Sequence, residues 1–334
     1  DNSSVNSGGV LLGAINTPSI IGIYNDDGTF TSNPFQNWEN PIASTDGSDR
    51  SYSNRRFLGN VYLEIDFLKD FTFRSNFGID DSNGVYDYFL DPYRTSYGRA
   101  LKGQGIRNSD DSFYYIFENT LRYNKVIKNH KIEALVGSVN QKIEWENSSI
   151  ETRNYASDGI KTVNAGSEII TATAYKSEKS NSSFISRINY DYDNKYLVTA
   201  NFRADGSSIF GPDNRWGYFP SFSLGWRLSE ENFLKDSKTI NNLKLRIGWG
   251  LVGNDQIDNY AYLGRVGSGA NYPIGGITMP GTYPASIENL GLKWEESEQT
   301  NIGIDFGLFD GRIVLTTDAY VKNTKDLLLN APLP

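Results

Sequence analysis

The sequence predicts an all-β protein, an antiparallel transmembrane β-barrel segment with long extracellular loops. Three observations carry this expectation. Apolar and polar residues alternate with a period of two, the alternating runs are about ten residues long, and the connections between runs are short and long in turn. Composition fits the same class: of 334 residues only 38% are hydrophobic, yet 13% are aromatic (21 Tyr, 18 Phe, 6 Trp) and 32 are Gly. No stretch approaches the roughly 18 to 20 consecutive apolar residues of a spanning helix. A barrel strand needs only alternate residues to be apolar, so a membrane location survives that test.

In chain order, residues 1–53 read mostly as loop, and residues 54–334 as about ten to twelve strands of a single barrel segment. Alternation is legible at 57–67, 71–80, 113–123, 184–192, 196–203, 301–308 and 312–322; residues 131–141 are extended with ambiguous parity. Two runs are the cleanest. Between Tyr218 and Leu228 one parity holds Phe222, Leu224 and Trp226, and the other holds Ser221, Ser223, Gly225 and Arg227. From Asn242, Leu245, Ile247 and Trp249 alternate with Lys244, Arg246, Gly248 and Gly250. In a barrel of this kind the apolar parity faces lipid and the polar parity faces water. The expected lipid-facing residues are therefore Phe222, Leu224, Trp226, Leu245, Ile247 and Trp249. The expected lumen-facing residues are Arg203, Arg227, Lys244, Arg246 and Asp305. A soluble sandwich would want strands of about five to six residues and its apolar face inside. Aromatics near strand ends, such as Phe57, Phe67, Tyr190 and Tyr192, suit interfacial girdles.

Short turns are expected at 68–70, 127–130, 193–194 and 309–311, all at one rim. Long polar loops are expected at about 83–110, 147–181, 204–215 and 253–298, at the other rim. In segment 229–240, Ser229 with Glu230 and Glu231 close behind predicts one short capped helix at the short-turn end.

Several function classes are disfavoured at once. The balance of 32 Lys and Arg against 40 Asp and Glu, net −8, argues against a nucleic-acid partner. With no Cys there is no thiolate nucleophile and no Cys-built metal site, and one histidine, His130, excludes multi-His metal centres. His130 falls in a short turn and reads as a surface residue. Gly248-Trp249-Gly250-Leu251-Val252-Gly253 matches the spacing of a dinucleotide loop, but those glycines lie inside an alternating strand, with no helix to follow. They read instead as places of close backbone approach. The Asp46–Asp49 and Asp80–Gly84 clusters lack the full register of a calcium loop and read as solvated turns. In Arg203-Ala204-Asp205-Gly206, a buried Arg–Asp contact is expected to fix the loop's exit geometry, with a ligand role as the alternative. No catalytic residue, cofactor or metal is expected. The rivals are a surface all-β adhesin or lectin that binds glycans and, behind it, a β-rich glycoside hydrolase, for which Glu118, Glu133 or Asp305 would have to serve without any legible pairing.

The wording of several stretches carries a resemblance. The run Asn201-Phe202-Arg203-Ala204-Asp205-Gly206-Ser207-Ser208, continuing through Phe210-Gly211 to Trp216-Gly217-Tyr218-Phe219-Pro220-Ser221, resembles the SusC/RagA family of TonB-linked outer-membrane transporters. So do Leu243-Lys244-Leu245-Arg246 with Gly248–Asn254, Asn289–Thr300 leading into Asn301-Ile302-Gly303-Ile304-Asp305, and Arg56-Phe57-Leu58-Gly59-Asn60-Val61. The resemblance covers nearly the whole chain and is most specific from 183 to 330. It implies about 22 strands in the whole barrel, a plug domain, and import of glycans or oligopeptides powered by TonB. It also implies a SusD-like surface lipoprotein as partner and the outer membrane of a Bacteroidetes-type Gram-negative bacterium as location. The plug, the TonB-contacting segment and the C-terminal strands have no counterpart here, so the chain reads as a central portion of such a barrel.

Overall fold

A computed structural model describes residues 10–35 and 39–329. The residues at the extreme ends, including Ala331 to Pro334 where the alternation breaks off, lie outside the described set. Two short helices come first, α1 (Val10–Asn16) and α2 (Pro41–Asp46). Then follow β1 (Ser48–Phe67), β2 (Phe71–Leu90), α3 (Ser96–Leu101), β3 (Gln104–Ile127), β4 (His130–Tyr155), β5 (Gly166–Tyr192), β6 (Tyr196–Ser207), β7 (Trp216–Arg227) and β8 (Ile240–Asn254). Four three-residue strands make two small hairpins: β9 (Val266–Ser268), β10 (Tyr272–Ile274), β11 (Ile277–Met279) and β12 (Thr282–Pro284). The chain closes with β13 (Glu295–Leu308) and β14 (Ile313–Lys325). β1 starts inside the stretch read as loop.

β1 to β8, β13 and β14 form one ten-stranded sheet in that order, with β1 and β14 at its edges. The pairs whose registers are resolved, from β5 to β14, are all antiparallel. This is the expected all-β antiparallel architecture, and among the described residues β1 and β14 are not paired with each other. Among the described residues no helix is long and apolar enough to cross a membrane, which leaves strands that cross untouched.

Two compact units partition the chain. The first comprises the described parts of 1–58, 80–113 and 144–177, and the second 59–79, 114–143 and 178–329. In the first unit, Asn40 caps α2: its Oδ1 accepts the amides of Ile42 (3.0 Å) and Ala43 (3.3 Å). Buried Phe89 packs edge-on against Tyr155, with centroids 5.1 Å apart. In the second unit, buried Ile209, Phe210, Phe219 and Trp294 form the core cluster.

All four short turns occupy one rim of the second unit, as expected. The pairing of sequence neighbours along the sheet places alternate connections together, and hydrogen bonds link each to its neighbour. Asn124 N donates to Asp70 O, Asp193 N to Asn129 O, Arg227 N to Lys195 O, and Phe309 N to Thr239 O, at 2.8 to 2.9 Å. Leu68, Lys69, Lys128, Asp193, Asn194, Phe309 and Asp310 all have positive φ, the conformation tight hairpins demand.

The long connections differ from expectation. Residues 83–90 and 104–110 are strand, as are 147–155 and 166–181, so the actual breaks are 91–103 and 156–165. β1 to β5 are 20 to 27 residues long, against 12 to 15 for β6 to β8, β13 and β14. A strand of 27 residues extends about 90 Å, several times what a tilted membrane crossing needs. The extensions mix polar and apolar residues on both parities, so alternation is lost although backbone pairing continues. Side-chain ladders take its place: Asn147 donates to Asp110 (2.6 Å), Ser149 to Asn108 (2.8 Å), and Asn83 to Asp111. The long 253–298 loop is real, but it carries both small hairpins.

The helix expected in 229–240 is only a 3₁₀ turn, Leu228–Glu230. Glu231, instead of capping local amides, is engaged by Tyr196 Oη (2.7 Å) and Trp226 Nε1 (3.0 Å). The Tyr196 hydroxyl, then the Trp226 indole, hold its carboxyl below the usual carboxylate range. His130 is also less solvated than expected. It opens β4, with Nδ1 2.7 Å from Tyr190 Oη and its ring 4.8 Å from that of Tyr192.

Candidate functional site: a two-faced wall and its cavity

The register sorts the expected residues by face. Phe222 pairs with Trp249, Leu224 with Ile247, and Trp226 with Leu245, so all six share one side of β7 and β8. The same row continues through Ile302 and Ile304 of β13 and through Tyr196, Val198 and Ala200 of β6. Along β6 and β7, aromatics stand at both ends, with Val198, Ala200, Leu224 and one further aromatic, Phe222, between them. Tyr196 stacks with Trp226 (6.3 Å) at the turn end, and Phe202 with Tyr218 (6.3 Å) at the other. From Tyr218 to Trp226 is about 26 Å along the strand. Most of these side chains are exposed, Phe222 44%, Leu224 45%, Ile247 45% and Tyr218 58%, whereas Trp249 is half-buried and its Nε1 donates to Glu298 Oε1 at 2.9 Å.

Arg227, Lys244 and Asp305 form one cross-strand row on the opposite face, and Arg203 and Arg246 share their parity. Arg246 of β8 bridges two acids on the next two strands. Its Nε and Nη2 donate to Asp305 (2.9 and 3.0 Å), and Nη1 reaches Asp318 at 3.0 Å. Gly303 makes room for this, since a Cβ there would lie 2.3 Å from Asp318 Oδ1. The glycines of the dinucleotide-like spacing are indeed close approaches: a Cβ on Gly248 would meet Asn301, one on Gly250 would meet Ser221, and one on Gly253 the Phe219 ring at 2.1 Å.

A cavity of about 700 Å³ opens on this polar face. It is lined by Lys179, Arg187, Asn201, Arg203, Phe219 and Asp255, with further residues of β4 to β8 and Trp294. Arg203 Nε donates to both oxygens of Asp205 (2.7 and 2.6 Å), and Nη2 to Ser183 Oγ (3.1 Å). The expected Arg–Asp contact is present, but only half of it is buried: the side chain of Asp205 is 12% exposed and that of Arg203 52%. Arg187 donates to Asn201 (2.7 Å), which donates to Ser221 (3.1 Å).

Sequence reasoning missed Asp255, which lies just beyond β8. Its carboxylate receives Lys179 Nζ (2.9 Å), Ser207 Oγ (2.8 Å) and Asn181 Nδ2 (3.4 Å), joining the start of the long loop to β5 and β6. Burial pushes this carboxyl up, yet the bonds from Lys179, Ser207 and Asn181 outweigh it and hold the group below its ordinary value. A depressed folded-state value contributes stability that is present above the unfolded value and is lost as pH falls through the folded one. Asp255→Asn is therefore expected to cost roughly 1 to 3 kcal/mol at neutral pH, and to remove the acid sensitivity of the 255–294 loop. Proteolysis of that loop against pH checks this; an unchanged acid profile contradicts it. Among the described residues no cluster of three or more His, Asp or Glu is placed to hold a metal ion.

An antiparallel meander with an exposed apolar face, a charged opposite face and one rim of tight turns defines the wall of an outer-membrane-type barrel. The chain belongs to the family of TonB dependent receptor-like beta-barrels, whose model matches residues 2–334. It is 33% identical over 325 residues to the TonB-dependent receptor SusC of Bacteroides thetaiotaomicron, covering 96% of this chain and 32% of that protein. It is 32% identical over 330 residues to the TonB-dependent receptor P3 of Formosa agariphila, covering 98% of this chain and 33% of that protein. The chain thus spans about a third of the length of these curated relatives. Its fold matches that of the RagAB peptide importer in its closed-closed state, with a TM-score of 0.82 at 23% identity over 99% of this chain and 37% of the other. The family is one of TonB-dependent receptors, and the SusC-type resemblance holds.

Proposed function

We propose that this chain forms part of the barrel wall of a SusC-like, TonB-dependent importer in the outer membrane, taking up glycans or oligopeptides together with a SusD-like lipoprotein. The observation that carries the reading is the sorting of faces by register: a continuous exposed apolar row, aromatic at both ends, backed by Arg203, Arg227, Lys244, Arg246 and Asp305. A soluble adhesin or lectin would bury that row in a core, because large contiguous apolar patches are costly in water. Lipid is the solvent that accepts it, and the charged face then lines a wet lumen. Phe222, Leu224, Trp226, Leu245, Ile247 and Trp249 meet acyl chains in this reading.

The 700 Å³ cavity lies on the lumen face and offers amides, hydroxyls and fixed charges to a polar solute in passage. The loop between β8 and β13 exposes Val266, Tyr272, Ile274, Ile277 and Ile287 on and beside its two hairpins, a surface suited to a capping protein. TonB would act through a part of the parent receptor outside this chain. The test is purification of the intact receptor in mild detergent. A SusD-like lipoprotein is expected to accompany it and to be lost when residues 264–288 are replaced by a short Gly-Ser linker. A folded, homogeneous receptor with no such subunit contradicts the reading.

A further inference from the structure

Three adjacent rows on the charged face, nearer the turn rim than the large cavity, have a chemistry of their own. Asn189, Thr199, Ser223, Gly248 and Asn301 make one row; Leu197, Gly225, Arg246 and Gly303 the next; Arg227, Lys244 and Asp305 the third. Arg227 and Lys244 are thus directly opposed cations on neighbouring strands, an arrangement that is destabilising unless an anion answers it. Neither forms an ion pair among the described residues. The acid beside Lys244, Asp305, takes the two-pronged contact from Arg246 and interacts with Lys244 only through space, beyond ion-pair distance.

Lys244 leans along Gly225, where a Cβ would stand 3.2 Å from its Cε. Lys244 there lines a hollow of about 350 Å³ together with Thr199, Ser223, Gly225, Arg246 and Asn301, and with the apolar residues Leu197, Leu224 and Ile247. The Ser223 hydroxyl and the Asn301 carboxamide have no hydrogen-bond partner among the described residues, and Gly225 and Gly248 keep the floor open. A flexible ammonium, a second cation beside it, two free donors and a backbone floor form a cradle for a carboxylate. We infer that this cradle binds a carboxylate group in the lumen, through Lys244, Ser223 and Asn301 with Arg227 adding field.

The inference rests on the proposed lumen. The carboxylate can arrive on an acidic solute or belong to another part of the parent receptor, and the experiment separates the two sources. In the intact receptor, triglutamate is titrated by calorimetry at low ionic strength beside trialanine, and a carbodiimide cross-link is mapped from Lys244. Saturable binding of triglutamate alone, weakened about tenfold by Lys244→Gln and also by Gly225→Val, which fills the hollow, supports an acidic solute. No probe binding, together with a cross-link from Lys244 to a carboxylate other than Asp305, supports an internal one. No probe binding and no cross-link beyond Asp305 overturns the cradle.

Ser223→Cys and Leu224→Cys tell this failure from failure of the lumen. If the water-borne thiol reagent labels Leu224→Cys and spares Ser223→Cys, the lumen reading and the cradle fall together. If Ser223→Cys is labelled while neither probe nor cross-link is found, the cradle alone is wrong.

Discussion

Arginine in place of Leu224 is expected to cost the folded receptor on the order of 2 to 4 kcal/mol in a bilayer, while arginine at adjacent Ser223 costs far less. Leu224 sits in the aliphatic middle of the exposed row, with Val198 on one side and Ile247 on the other. A guanidinium there must snorkel past about half the band or pull water into it. At Ser223 the same side chain enters a row that already holds Thr199, Gly248 and Asn301. The contrast tests the assignment of faces more sharply than either variant alone, because a slip of one residue would reverse it. Equilibrium unfolding from lipid vesicles measures both. Equal penalties, or a larger one at Ser223, would overturn the lipid-facing set.

Much of the wall was legible because its physics is local. Where one face of a strand meets an apolar medium and the other meets water, period two is written into every residue pair, as in Tyr218–Leu228. The hairpin turns were legible for a related reason: short polar breaks such as Asp193-Asn194 tolerate the positive φ they adopt. The extensions of β2 to β5 were not legible. Asp80-Asp81-Ser82-Asn83 reads as turn chemistry, yet it is strand, held by backbone pairing and by contacts such as Arg56 to Asp80. Polar residues on both faces erase the period without weakening the ladder. Asp255 was invisible for a different reason: Lys179, Asn181 and Ser207 lie far from it in sequence, and no spacing announces a carboxylate that gathers three donors from two other strands. Glu231 was seen, but as a helix cap, because its partners Tyr196 and Trp226 belong to strands whose register has to be known first.

The core cluster leads to the second large effect. Trp294 is 8% exposed and immediately precedes β13. Its ring lies 5.3 Å from that of Phe210 and 5.4 Å, edge-on, from that of Phe219, and its Nε1 donates to Arg215 O at 3.0 Å. Ile257 and Leu292 pack against the same cluster, so the two ends of the β8–β13 connection are clamped at one point. Truncating a buried aromatic of this size costs about 3 to 5 kcal/mol. The paired strands keep their backbone ladder, so the loss in Trp294→Ala is expected in local opening of the loop and not in dissolution of the sheet. Hydrogen exchange on the intact receptor should show the amides of Ala285 and Asn289, which bond to Arg265 O and Tyr262 O, losing protection, while those of Ile247 and Ile302 keep theirs. Trp294→Phe keeps most of the apolar contact and forfeits only the indole bond, while Arg215 O keeps the amide of Ser207, for about 0.5 to 1.5 kcal/mol. A uniform loss of protection across sheet and loop would show that the cluster supports the whole wall, and an unchanged loop would show that its base is held elsewhere, through Asp255.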